Sequence, residues 1–138
     1  MTAHNASVSL DVTDVPTTGY TAATLTANTP NPMNKTYYYK YSGGDDGNGN
    51  VTEHGRGQIT ISLTLNSGPR YAIATIGDGG TQTQLSYQVN DALHATITDK
   101  NDKVEDDYYN VLISDTDNID ANRKPCQFWC DPRVDNEN

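Results

Sequence analysis

Gln58-Ile-Thr-Ile-Ser-Leu-Thr-Leu65 alternates without a break, with Ile59, Ile61, Leu63 and Leu65 on one face and Thr60, Ser62 and Thr64 on the other. Successive side chains of an extended chain point to opposite faces, so this stretch reads as a strand with one buried and one wet side. The same period of two recurs outward from it. Downstream come Tyr71–Ile76, Gln84–Val89, Leu93–Thr98 and Tyr108–Ser114, and upstream lie Val8–Val12, Thr21–Thr26 and Thr36–Tyr41. The tail adds Gln127–Trp129 and a short piece at Arg133-Val134. Turn clusters such as Asn66-Ser-Gly-Pro69, Gly77-Asp-Gly-Gly80 and Asp99-Lys-Asn-Asp-Lys103 separate these runs. Eight or nine short strands punctuated every 8–12 residues or so predict an all-β fold, an antiparallel β-sandwich without significant helix.

Composition points the same way. Thr, Tyr and Val fit a pleated sheet, whereas glutamate, a good helix former, appears only at Glu53, Glu105 and Glu137. No dozen-residue segment carries apolar positions at helical spacing. The chain has 138 residues, which suits one domain over residues 1–138, and no linker divides it. Its net charge of −9 speaks against nucleic acid, whose phosphates are bound mainly by Lys and Arg, and against an anionic membrane surface. The start, Met1-Thr-Ala-His-Asn-Ala-Ser7, lacks the basic and apolar regions of a secretory signal, so the expected location is cytoplasmic.

Few motifs carry chemistry. Ser42–Asn50 has the composition of a calcium loop, but counting from Asp46 the positions that need Gly and Glu hold Val51 and Gly57. A long hairpin turn between Tyr41 and Val51 is the better reading. Asp115-Thr-Asp-Asn-Ile-Asp120 gathers three carboxylates in what reads as a solvated turn and supplies only a partial cation site. His4, His54 and His94 are scattered without zinc spacing, so no metal and no cofactor is expected. Cys126 and Cys130 would lie ~13 Å apart on one extended strand, beyond disulfide reach. They read as two thiols unless a tight turn joins them in an oxidising compartment. Tyr37, Tyr38, Tyr39 and Tyr41 either serve the two faces of a sheet or offer a sugar-stacking surface.

The unusual place is the tail, Phe128-Trp-Cys-Asp131-Pro132-Arg-Val-Asp-Asn-Glu-Asn138. An Asp-Pro bond is chemically weak. The Asp131 carboxyl can attack its own main-chain carbonyl to give a cyclic anhydride, a ring closure of high effective molarity. Pro132 has no N–H, which blocks the competing succinimide, and its basic nitrogen leaves readily once protonated. Cleavage at neutral pH still needs a held geometry and a proton donor. The plainer reading is that Pro132 ends a strand.

Tyr109-Asn-Val-Leu-Ile-Ser-Asp-Thr116 leading to Cys130-Asp-Pro-Arg-Val134, with the Ile97-Thr-Asp-Lys100 turn, resembles the DP-EP family of small bacterial β-sandwich proteins named for Asp-Pro endopeptidase behaviour. A looser likeness exists to the AidA/PixA-type inclusion-body proteins, whose last strand carries Trp-Asp-Pro where this chain has Trp129-Cys-Asp-Pro132. The first resemblance implies self-cleavage between Asp131 and Pro132, and it carries over those two residues alone. A second carboxylate would assist, and Asp115 is the first candidate because its strand should neighbour the tail strand, with Asp107 as alternate. A neighbouring carboxylate that pushed Asp115 towards neutral would make it a suitable acid. Lys100, Lys103 and Lys124 are either acceptors of the Asp131 acyl group or solvated surface residues. The alternative function is a non-enzymatic binding or self-assembly module that uses edge strands.

Overall fold

The structure is a computed structural model that describes residues 4–44, 51–54, 57–77, 85–100, 106–130 and 133–137. It is all-β. The strands are β1 (His4–Thr13), β2 (Thr21–Ala22), β3 (Thr24–Leu25), β4 (Tyr38–Gly43), β5 (Val51–His54), β6 (Ile59–Leu65) and β7 (Tyr71–Gly77), then β8 (Leu85–Asp91), β9 (His94–Asp99), β10 (Asp106–Tyr108), β11 (Asn110–Ile119), β12 (Pro125–Cys130) and β13 (Arg133–Glu137). A six-stranded sheet runs β2-β4-β1-β6-β9-β8, a four-stranded sheet runs β3-β12-β11-β7, and a small third sheet runs β10-β13-β5.

The two larger sheets share one core. Strand β6 buries Ile59, Ile61, Leu63 and Leu65 and turns Ser62 outward, as its alternation requires. Val8, Leu10 and Val12 of β1 and Ala95 and Ile97 of β9 extend that face. From the smaller sheet come Val111 and Ile113 of β11, Ile73 and Ile76 of β7, and Cys126, Phe128 and Cys130 of β12. Tyr37 stacks flat on Phe128 with ring centroids 4.2 Å apart, and Tyr71 meets both rings edge-on, so three aromatics fill one end of the layer.

Most adjacent strands are antiparallel, but two pairs are not. β1 and β6 run parallel, with His4 opposite Ile59 and Leu10 opposite Leu65, and β13 runs parallel to β5. The expected Thr21–Thr26 strand is split at Ala23: β2 pairs with β4 in the larger sheet and β3 with β12 in the smaller, so the chain changes sheets there. Among the described residues, the strands flanking the expected Tyr41-to-Val51 hairpin are not partners, since β4 pairs with β1 and β2 while β5 pairs with β13; residues 45–50 of that turn lie outside the described residues. Gly43 explains part of this. Its φ of +80° is cheap only for glycine, and a Cβ there would run into the Ser7 carbonyl oxygen, which accepts the Gly44 N–H at 2.9 Å.

Cys126 and Cys130 are free thiols on the buried phase of extended β12, in line with the two-thiol reading. Tyr37 and Tyr41 are buried, Tyr39 packs against the core and Tyr38 is half-buried, so the tyrosine run serves both faces of the sheet.

Candidate functional site

The one dense polar cluster among the described residues surrounds Asp115. Read as part of a solvated turn, the segment Asp115–Ile119 instead continues β11, and Asp115 is 0% exposed. Its carboxylate accepts four hydrogen bonds. Oδ1 receives Arg70 Nε at 3.0 Å and the Asp117 N–H at 3.0 Å, and Oδ2 receives Arg70 Nη2 at 2.9 Å and the Tyr37 hydroxyl at 2.6 Å. A carboxylate offers about four lone-pair sites, so Asp115 is saturated.

Arg70 carries the cluster outward. It sits in the turn before β7, where the backbone lets Thr116 donate both its N–H (2.8 Å) and its hydroxyl (2.7 Å) to the Arg70 carbonyl. The guanidinium also holds Asp14 at 3.0 Å, stands 5.0 Å from the Tyr71 ring centroid, and lies 3.9 Å from the Asp117 carboxylate. Lys35 closes on Asp14 at 3.2 Å. The cation among these carboxylates is therefore the protein's own guanidinium. Asp120, grouped with them in the sequence, faces elsewhere and accepts the Asn122 and Lys124 N–H groups to close its turn.

The inner side is equally closed. Asn118, fully buried, donates to the Tyr37 hydroxyl at 2.9 Å and to Asn31 Oδ1 at 2.6 Å, and accepts the Met33 N–H at 3.0 Å. Asn31 in turn brackets the Lys35 backbone through its N–H and carbonyl, both at 2.9 Å. This network ties the loop before β4 to β11.

The electrostatics are opposite to the expected ones. Burial pushes the Asp115 carboxyl up, but the hydrogen bonds from Arg70, Tyr37 and Asp117, with the Arg70 charge, outweigh it and hold the group below the usual carboxylate range. A neighbouring carboxylate is not among the main influences on it. Burial and the Asp115 hydrogen bond push the Tyr37 phenol far above its ordinary value, so it stays protonated and donates. Burial likewise raises Tyr71, to about 12, and the Cys130 thiol. A saturated carboxylate, a neutral phenol and a paired guanidinium provide no free base and no nucleophile.

Register decides where the other candidates stand. Strands β11 and β12 pair antiparallel, as expected, and the register sets Asp115 opposite Cys126 and Val111 opposite Cys130. Asp115 is thereby ~13 Å along the sheet from the end of β12. Lys124 is exposed just before β12, ~20 Å of strand from Cys130. Lys100 is exposed just after β9. Asp107 lies in β10 opposite Val134 of β13, with Tyr108 opposite Arg133. Asp131, Pro132 and Lys103 lie outside the described residues.

Sequence reasoning missed Arg70 and Asp14, and the hydrogen-bonding roles of Tyr37, Tyr41 and Asn118. The Tyr41 hydroxyl donates to the Cys130 carbonyl at 3.0 Å, one residue before Asp131. It also missed buried Asp99, although Asp99 continues the inward phase of Ala95 and Ile97.

A scan against protein-family models finds no match, and no curated protein matches the chain. Among solved structures the chain is similar to the crystal structure of an inclusion body protein, PixA, from Burkholderia cenocepacia J2315, at 11% identity and a TM-score of 0.46, covering 96% of each chain. The looser of the two sequence resemblances has this distant structural counterpart, and nothing in these comparisons supports the Asp-Pro endopeptidase one. At that distance the likeness carries no function to this chain.

Proposed function

We propose that this chain is a non-enzymatic β-sandwich module that assembles by adding strands to the free edge of its larger sheet. One observation carries the reading. Strand β8 ends the six-stranded sheet and ladders with β9 alone among the described residues. Such an edge presents unpaired N–H and C=O groups, and proteins that stay apart blunt it with lysine, proline or inward charge. From Leu85 to Asn90 β8 has none of these, and Tyr87 is 47% exposed on it. The saturated Asp115 cluster agrees with a role that needs no reactive group. The test is sedimentation over a range of protein concentrations. Wild-type chain should associate, and Tyr87→Lys, which adds a charge to the edge, should stay monomeric. A wild-type chain that is monomeric throughout sinks the reading.

A second reading, self-cleavage between Asp131 and Pro132, rests on the Tyr41 hydrogen bond to the Cys130 carbonyl and on the register that sets Asp107 beside the segment following Pro132. In this reading Tyr41 would fix the chain leading into the bond and Asp107, better placed than Asp115, would be the assisting carboxylate. Intact mass under denaturing conditions tests it, since a cut chain loses Pro132–Asn138.

A further inference from the structure

We infer that β8 pairs with β8 of a second copy, antiparallel and centred on Gln88, so that two six-stranded sheets join into one. This rests on the assembly reading above and names its partner and register. The sequence of β8 complements itself across a two-fold axis. A two-fold contact is isologous, so whatever faces residue j of the partner is matched by j facing the same residue in return. Centring the axis on Gln88 sets Gln88 opposite its own copy, Tyr87 opposite Val89, Ser86 opposite Asn90 and Leu85 opposite Asp91. Each match is chemically acceptable. Tyr87 and Val89 lie on the core-facing phase of β8, opposite Ile97 and Ala95 of β9, and an aromatic facing a β-branched residue is a favourable cross-strand pair. The axis makes that pair twice and covers the exposed Tyr87 ring. Gln88, Ser86 and Asn90 on the other phase are uncharged and can hydrogen-bond across the axis.

Charge selects the same strand. Two copies at −9 repel, so any contact between them must avoid facing acidic groups. The one carboxylate on β8, Asp91, falls opposite Leu85 and already holds His94 Nδ1 at 2.8 Å. The fold also leaves the strand end defined. A bulge at Asn90 ends the regular ladder with β9, and β7 of the smaller sheet bonds there through the Ile73 N–H to the Ala92 carbonyl at 2.8 Å, just past β8.

The experiment introduces one exposed thiol at a time into the full chain, as Gln88→Cys or Ser86→Cys, and adds a short thiol-to-thiol cross-linker. Cys126 and Cys130 are buried and do not compete. In the proposed register the two Gln88→Cys thiols face each other, whereas two Ser86→Cys thiols stand ~13 Å apart along the strands. Gln88→Cys should shift from the monomer to the dimer band on a denaturing gel, and Ser86→Cys should remain monomer. Equal cross-linking of the two overturns the register. Wild-type chain that associates while Gln88→Cys gives no dimer band overturns this inference and leaves the assembly reading standing. A wild-type chain that sediments as a monomer throughout overturns both.

Discussion

Arg70 and Asp115 meet side by side through two parallel hydrogen bonds, Nε to Oδ1 at 3.0 Å and Nη2 to Oδ2 at 2.9 Å, with the carboxylate wholly buried and the guanidinium reaching the surface. Forty-five positions separate them, so the pair clamps the turn before β7 to β11. Its geometry is of the bidentate kind that only arginine supplies.

Removing Arg70 strands a buried charge. Breaking a buried pair by deleting one partner costs roughly 3–5 kcal/mol, and because Arg70 is itself 30% exposed the lower end applies. Arg70→Met should therefore destabilise by about 3 kcal/mol in urea unfolding. Arg70→Lys should recover only part of that, since an ammonium cannot make the fork. A wild-type melt for Arg70→Met would mean the carboxylate finds another partner or takes up a proton without cost.

No local pattern in the sequence marks this pair. Asp115-Thr-Asp-Asn118 is made of turn formers, and burying such a run is unfavourable unless every polar atom is matched. The matching groups sit far away, at Arg70, Tyr37 and Asn31, and no local pattern announces them. Strand β6 was legible because its decision is local: Ile59, Ile61, Leu63 and Leu65 choose a face by themselves. The parallel partnership of β1 with β6 was not, because His4 and Ile59 come together only through the global fold. The break at Ala23, where one apparent strand serves two sheets, was hidden for the same reason.

Acid should loosen the cluster. Burial raises both the Asp14 and Asp115 carboxyls, but their hydrogen bonds and charged partners win, and both titrate below the unfolded value of about 3.9. A depressed folded pKa gives stability that is fully present above the unfolded value and is lost as pH falls through the folded one. Unfolding free energy should be level from about pH 7 to 5 and decline below about pH 4. Asp14→Asn should decline less steeply than wild type over that range. Stability that holds or rises on going from pH 5 to 3 would contradict the ion-pair account.

Salt tests the electrostatics of assembly. The proposed β8 contact carries no ion pair between copies, while the remaining surface of two −9 chains repels. Raising ionic strength from 0.01 to 0.15 M shortens the screening length from about 30 to about 8 Å and removes repulsion without weakening the contact. Association should therefore tighten with salt, read as a rising weight-average mass at fixed protein concentration. Weakening with salt would point to opposite charges facing each other and would move the interface away from β8.

The Asp131–Pro132 bond gives the last prediction. Strand β13, which begins at Arg133, pairs on both sides, with β10 and with β5, so a cut chain would keep its tail under native conditions. Size alone would then miss the event, and only denatured mass would show a fragment lacking Pro132–Asn138. If the anhydride route operates, Asp131→Asn removes the attacking carboxyl and Pro132→Ala restores an N–H and a poorer leaving group, so both should stay whole. Tyr41→Phe should be slower by about fivefold, because losing one hydrogen bond of about 1 kcal/mol to the Cys130 carbonyl loosens the approach. The mass of the large fragment then reports the acceptor. Attack by water leaves the full hydrolytic mass, whereas capture by Lys100, Lys103 or Lys124 leaves it one water lighter with a crosslinked peptide on digestion. Lys124 is poorly suited, since β12 holds ~20 Å between it and Cys130. A crosslink to Lys124 would show that β12 does not stay extended in the cleaving state, and intact wild-type chain after long incubation would leave the bond as an ordinary strand end.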